Sequence, residues 1–215
     1  MENCGFAALL QQEEESQLDN LQSMYDLLVR VPSTVDLLRD ALSDRVKHEG
    51  KMLVMDQERG TSDPAAFVRG VLAVRKRYAK VVENAFRGEK RAEKRLREAF
   101  DDFLNAGARA ASCLAVYVDE LLRSGLKGAT EAEVKERLQN VIVVFRYLSD
   151  KDVFEAFYKQ HLAKRLLGGK SVSDEAERAM VSQLNHSFHH DKQLHHDATR
   201  DYTAAQNPHS TKQNF

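Results

Sequence analysis

Apolar residues recur at three- and four-residue spacing along most of the chain, and polar runs, glycines and prolines separate one stripe from the next. That period predicts helices. The first spans roughly Glu13 to Arg30, with Leu18, Leu21, Met24, Tyr25 and Leu28 on one face. Val31-Pro32 ends it, because the residue before a proline is pushed out of the helical region. Ser33 or Thr34 then caps a second helix whose inward stripe is Val35, Leu38, Leu42 and Val46, with Gly50 expected to bend or stop it. Asp56 to Ser62 reads as a polar loop. Asp63-Pro64 supplies a cap followed by proline at the first helical position. The third helix carries Phe67, Val71, Val74, Tyr78, Val81, Val82 and Phe86 to a stop at Gly88. The fourth buries Leu96, Phe100, Phe103 and Leu104 and closes at Asn105-Ala106-Gly107, and the fifth carries Leu114, Tyr117, Val118, Leu121 and Leu122 to Gly125.

Thr130 and Glu133 are spaced as a capping box, opening a sixth helix. It leads into the stretch on which the rest leans, Val141 to Leu167. There Val134, Leu138, Val141, Ile142, Phe145 and Leu148 form one stripe, and Phe154, Phe157, Tyr158, His161, Leu162 and Leu166 form the next. Between them Ser149 is placed to accept from the backbone N–H groups of the seventh helix, and Asp150 and Asp152 suit its positive end. Lys164 and Arg165 in the last turn, then Gly168-Gly169, read as a basic finish and a left-handed stop. Ser171 or Ser173 caps an eighth helix with Asp174, Glu175 and Glu177 in its first turn and Ala176, Met180, Val181 and Leu184 beneath. The expectation is an all-α protein of eight helices without a strand. From Asn185 large aliphatics almost vanish and six of the eight histidines appear. A tail over 186–215 is expected to be disordered, since it cannot bury enough apolar surface to offset the entropy of ordering.

Composition agrees. The 215 residues are 42% hydrophobic and 30% charged, with three prolines, ten glycines and no tryptophan, which suits a soluble helical protein with a sizeable core. A net charge of −1 gives the whole chain no electrostatic reason to seek nucleic acid or acidic lipid. Cys4 and Cys113 alone make neither a disulfide framework nor a metal site, which points to a reducing compartment. No run approaches the roughly 18 apolar residues of a membrane span, and MENCGFAALLQQEEE lacks the features of a signal peptide. A cytoplasmic or nuclear protein is expected.

Candidate chemistry is sparse. His186, His189, His190, His195 and His196 carry good ligands for zinc or nickel, but their spacing matches no finger and no cysteine assists, so no specific metal site is expected. Arg87, Lys90, Arg91, Lys94 and Arg95 share a helix face, which Arg75, Lys76, Arg77 and Lys80 extend if the two helices pack side by side. Glu89, Glu93 and Glu98 neutralise much of that field, and no aromatic platform accompanies it. His161 lies on an apolar stripe with no nucleophile or carboxylate in the local sequence to make it a base. Gly168-Gly169-Lys170-Ser171 lacks the upstream glycine and preceding strand of a phosphate loop. Phe154, Phe157 and Tyr158 read as core. No catalytic residue, metal or cofactor is expected.

VVFRYLSDKDVFEAFYKQHLAKRLL, followed by GGKSVSDEAERAM, resembles the segment that opens the C-terminal half of the cullins, scaffold subunits of multi-subunit ubiquitin ligases. MENCGFAALL, SMYDLLVRVPSTVDLLRDAL, HEGKMLVMD, DPAAFVRGVLAVRKRYAKVV, AFDDFLN and YVDELLRSGLKGATEAEVKERL resemble successive cullin segments, so the likeness covers roughly residues 1–184. MENCGF and the block from Lys151 to Met180 look most like plant members of the subtype that uses BTB-domain adaptors. The family-motif positions, mainly structural, are Phe145, Lys151, Asp152, Val153, Phe154, Tyr158, Leu162, Lys164, Arg165, Leu166 and Leu167. Arg109-Ala110-Ala111-Ser112 departs from the Ser-Pro-Glu common at that helix start.

The resemblance implies a last cullin-type helical repeat over 1–124, an incomplete helical bundle over 125–185, and the tail over 186–215. It implies a non-catalytic scaffold fragment of a cullin-RING ligase, truncated and working through protein partners. The adaptor-binding repeat, the sheet that embraces the RING partner and the modifiable winged helix match no position here. The alternative is a helical protein-interaction module, or a competitor, without ligase activity.

Overall fold

The computed structural model of the chain describes residues 16–60 and 63–187. Eight α-helices organise them: α1 Ser16–Leu28, α2 Pro32–Glu58, α3 Pro64–Asn84, α4 Lys90–Leu104, α5 Ala110–Glu120, α6 Glu131–Tyr147 and α7 Lys151–Leu167, then α8 over 174–187. A wider π-type turn, Leu121–Gly125, prolongs α5. No strand occurs among the described residues, and the all-α expectation holds.

The long α2 lies along α4 and α3, and α5 packs between α3 and α7. A single apolar cluster runs from Leu21 on α1 to Leu184 on α8. Aromatic rings tie successive layers together. Tyr25 meets Phe86 at 5.1 Å between ring centres, Phe100 stacks on Tyr147 at 5.3 Å, and Phe145 tilts against Phe154 at 5.0 Å. Fully burying one such ring is worth about 2–3 kcal/mol.

The start of α2 departs from the expected capping, whereas that of α3 follows it. The N-cap position of α2 falls at Val31, ahead of Ser33 and Thr34. Val31 holds the extended N-cap conformation, Pro32 occupies the first helical turn, and no side chain caps the end. Proline there leaves no N–H to satisfy, so a side-chain cap matters less. Asp63 does cap α3, accepting from the Ala66 N–H at 3.2 Å.

Gly50 neither bends nor stops α2, which continues to Glu58. A Cβ at Gly50 would lie 2.2 Å from Cδ1 of Phe103, so the missing side chain is where α4 seats its ring against the α2 backbone. The polar loop expected from Asp56 shrinks accordingly, and its Thr61 and Ser62 lie outside the described residues. At the far end α3 stops at Asn84, short of Gly88. Arg87 and Gly88 both take positive φ, 54° and 65°. A non-glycine residue pays about 1–2 kcal/mol for that conformation, and the ion pair from Arg87 to Asp26 at 2.7 Å helps to hold it.

Candidate functional site

The stretch on which the sequence leans is Val141 to Leu167, and the structure builds a joint there. The capping box forms as expected: the Thr130 hydroxyl accepts from the Glu133 N–H at 3.3 Å, and the Glu133 carboxylate accepts from the Thr130 N–H at 2.8 Å. These bonds hold the Glu133 carboxyl below its usual range. One turn on, Arg137 donates to the Gly125 carbonyl at 2.5 Å, tying α6 to the π turn.

Ser149 does not cap α7. Asp150 stands at the N-cap without a capping bond, and the turn is fastened from another helix. The Asn105 amide donates to the Tyr147 carbonyl at 2.8 Å and to the Asp101 carbonyl at 2.7 Å. Its oxygen accepts from the Ser149 N–H at 2.8 Å. One side chain at the end of α4 thereby satisfies both strands of the α6–α7 turn.

The inward face of α7 is also corrected. Phe154 and Tyr158 are buried, with Val153, His161 and Leu162 half-buried. Phe157 and Leu166, assigned to the stripe, are 40% and 54% exposed, and Leu167 is 91% exposed. Arg165 takes the inward place instead, at 2% exposure. It is not a solvated basic finish. Asp152 and Lys164 face solvent, and the Lys151 ammonium lies 5.8 Å from the centre of the Phe145 ring.

A bare guanidinium could not be buried without compensation. Arg165 donates Nε to Glu177 Oε1 at 2.8 Å, Nη2 to Glu177 Oε2 at 3.0 Å and Nη1 to Asp119 Oδ1 at 2.6 Å. Glu177, expected in the exposed first turn of α8, is itself buried. Burial alone would lower the Arg165 pKa, but the bonds from Glu177 and Asp119 outweigh it, and the net shift is upward. Ser171 adds a bond to Glu177 Oε1 at 2.9 Å. Asp119 Oδ2 lies 3.7 Å from His161 Nδ1. Burial, followed by the charge of Glu177, pushes the Tyr158 hydroxyl up to about 12. Beside this group the Val172 N–H donates to the Leu122 carbonyl at 3.0 Å.

Three helices, α5, α7 and α8, thus meet at one cation. Its two carboxylates are engaged by Arg165, which fits them to fix an angle between helices rather than to shuttle protons. Sequence reasoning named Arg165 as a family-motif position in a basic helix finish and Glu177 in the first turn of α8, but missed that they are buried and paired, although both lie on apolar stripes. Arg165 follows Tyr158 by two turns, and Glu177 precedes Met180 and Leu184 at three- and seven-residue spacing.

Elsewhere the basic run is largely neutralised. Arg95 pairs with Asp40 at 3.2 Å, Lys94 with Glu98 at 3.7 Å, and Arg87 with Asp26. Arg77 pairs with Glu49. Among the described residues no His, Cys, Asp and Glu group could hold a metal ion, and no helix is long and apolar enough to cross a membrane. His186 lies in α8. Ser187 lies there too, so the expected disorder does not hold for the first two tail residues, and His189, His190, His195, His196 and the rest of 188–215 lie outside the described residues.

The described residues form an all-helical stack with a buried ionic joint. Residues 1–191 match the cullin alpha solenoid domain, and the chain belongs to the cullin family. It is 41% identical over 184 residues to Cullin-3A of Arabidopsis thaliana, covering 86% of this chain and 25% of that one. It is 37% identical to Cullin-3 of Dictyostelium discoideum, covering 86% and 23%, and 32% identical over 191 residues to Cullin-3 of Caenorhabditis elegans, covering 86% and 24%. The chain spans about a quarter of the length of these curated relatives.

Proposed function

We propose that this chain is a non-catalytic scaffold length of a cullin-RING ubiquitin ligase, serving ubiquitin-dependent protein degradation by holding helices at a fixed angle. The observation that carries the reading is the match to the cullin solenoid over 1–191, joined to a buried Arg165 that locks α5, α7 and α8. A rigid spacer contributes to a reaction by setting the separation of two held partners, which raises their effective concentration without covalent chemistry. Residues 1–124 act as a helical repeat and 125–185 as the start of a bundle. Adaptor and RING partner are held by segments outside this likeness, and the complex works in the cytoplasm or nucleus.

The test is a graft. A Cullin-3 relative carrying these residues in place of its own corresponding segment should build ubiquitin chains with its RING partner and a charged conjugating enzyme, while residues 1–215 alone should not. Chain building by residues 1–215 with the RING protein would contradict the reading, and so would a folded but inactive graft.

The alternative, a helical interaction module or competitor, draws support from Leu166, Leu167 and Phe157. All three are exposed, and Leu166 lines a groove of about 650 Å³ between α7 and α8; apolar surface of that kind seeks a cover. Size-exclusion chromatography separates the two readings: a monomer across concentrations favours the spacer, and self-association or capture of a regulator favours the module.

A further inference from the structure

A cleft of about 660 Å³ opens where α3, α4 and the end of α6 diverge. Ala79, Val82, Leu96 and Val143 give it an apolar floor. Arg75, Arg97 and Arg146 line it too. Arg39, Arg77, Arg87, Arg95 and Arg165 all hold carboxylates, whereas these three pair with none among the described residues.

The charges are sorted by position. The helices α3 and α4 are joined by the short turn 85–89, so Glu83, Gly88 and Glu93 gather at the turn end of the cleft. Arg75 and Arg97 sit further along their helices. Arg146 joins them there, because neighbouring Tyr147 stacks on Phe100 of α4. Asp101 is the one carboxyl at that end; burial raises its pKa, and Arg97 opposes the rise. The turn end therefore carries two carboxylates, and the far end three guanidiniums against one carboxyl. The eight residues from Arg75 to Glu83 separate them by about 12 Å of helix rise.

We propose that this cleft is a docking groove for an amphipathic helix of a partner protein, with its acidic end at Arg75, Arg97 and Arg146, its basic end at Glu83 and Glu93, and apolar side chains on the floor between. A nucleic acid is disfavoured because the two glutamates and Asp101 would meet its phosphates. The inference stands apart from the ligase reading and does not need it.

The probe is a displayed library of randomised 15-residue peptides selected on the whole chain. Selected sequences should place an acidic and a basic residue about eight positions apart around an apolar stripe. Their binding should weaken at least about tenfold in R97E/R146E and in E83K/E93K, with salt having the same sense of effect. A peptide with its two charged ends exchanged should bind the doubly reversed R97E/R146E/E83K/E93K protein better than the native one. None of the four substituted side chains makes an ion pair among the described residues, so unchanged helicity and melting confirm each variant as folded. Absence of enriched sequences, enrichment without the charge order, or equal binding by the variants would overturn the proposal. Retention of a 20-nucleotide RNA through the same arginines in place of peptide would overturn it as well.

Discussion

Arg165 and Glu177 face each other through two parallel hydrogen bonds, 2.8 and 3.0 Å long, in a pocket that leaves the arginine 2% exposed. The pair joins α7 to α8, and Asp119 ties the same cation to α5 at 2.6 Å. The geometry is bidentate, in which the planar fork of arginine matches a carboxylate and lysine would not.

Removing one member leaves buried charge without a partner. Arg165→Met is expected to destabilise the protein by about 3–5 kcal/mol, while Arg165→Met combined with Glu177→Leu and Asp119→Asn should recover most of that loss, since no buried charge is then left without a partner. Urea midpoints at unchanged m-value measure both. A triple variant no more stable than Arg165→Met would show that the cost lies in packing rather than in charge.

Gly50→Ala sets two effects against each other. Alanine favours a helix interior by about 1 kcal/mol, but its Cβ would lie 2.2 Å from the buried Phe103 ring, and overpacking costs about 1–3 kcal/mol. The clash should win, lowering the melting temperature. Gly50→Ala with Phe103→Leu should lose less than the sum of the two single changes. Strict additivity in that cycle would contradict the contact.

Asn105→Ala removes two hydrogen bonds from the α6–α7 turn and one from the end of α4. The site is exposed, so water replaces part of the loss and the expected cost is about 1–2 kcal/mol. Amide exchange at Ser149 should accelerate while exchange in the middle of α2 stays as in the native protein. Unchanged protection at Ser149 would remove Asn105 from the role given to it.

These three positions also mark what the sequence discloses. Periodicity locates the stripes, and the Thr130–Glu133 spacing locates a cap, because both are local signals within one or two turns. Gly50 misleads because its reason is a ring more than fifty residues away. Arg165 misleads because residue type argues for solvent, while its position two turns from Tyr158 argues for the interior. Asn105 reads as a helix end, which it is, but its second task lies across a tertiary contact that no local window contains. The candidate joint was therefore half legible: its helices were, its ionic centre was not.

The buried Tyr158 sets an alkaline limit. Its folded pKa is raised to about 12 from 10.0, so the folded state holds the proton that the unfolded chain releases. Stability from this group is complete below pH 10 and is lost as pH rises toward 12, by about 2–3 kcal/mol at most. Tyr158→Phe should flatten that part of the stability profile. An unaltered slope between pH 10 and 12 would assign the loss to other groups.

The claim on which the function rests is that the stack holds a fixed angle through Arg165. The direct measurement is the distance distribution between spin labels at Met52→Cys on α2 and Ser182→Cys on α8, with Cys4 replaced by Ser and Cys113 left buried. A single narrow distribution in the native sequence, broadening in Arg165→Met while helicity is retained, is the expected result. A broad distribution in the native sequence, or one that Arg165→Met leaves unchanged, would contradict the account.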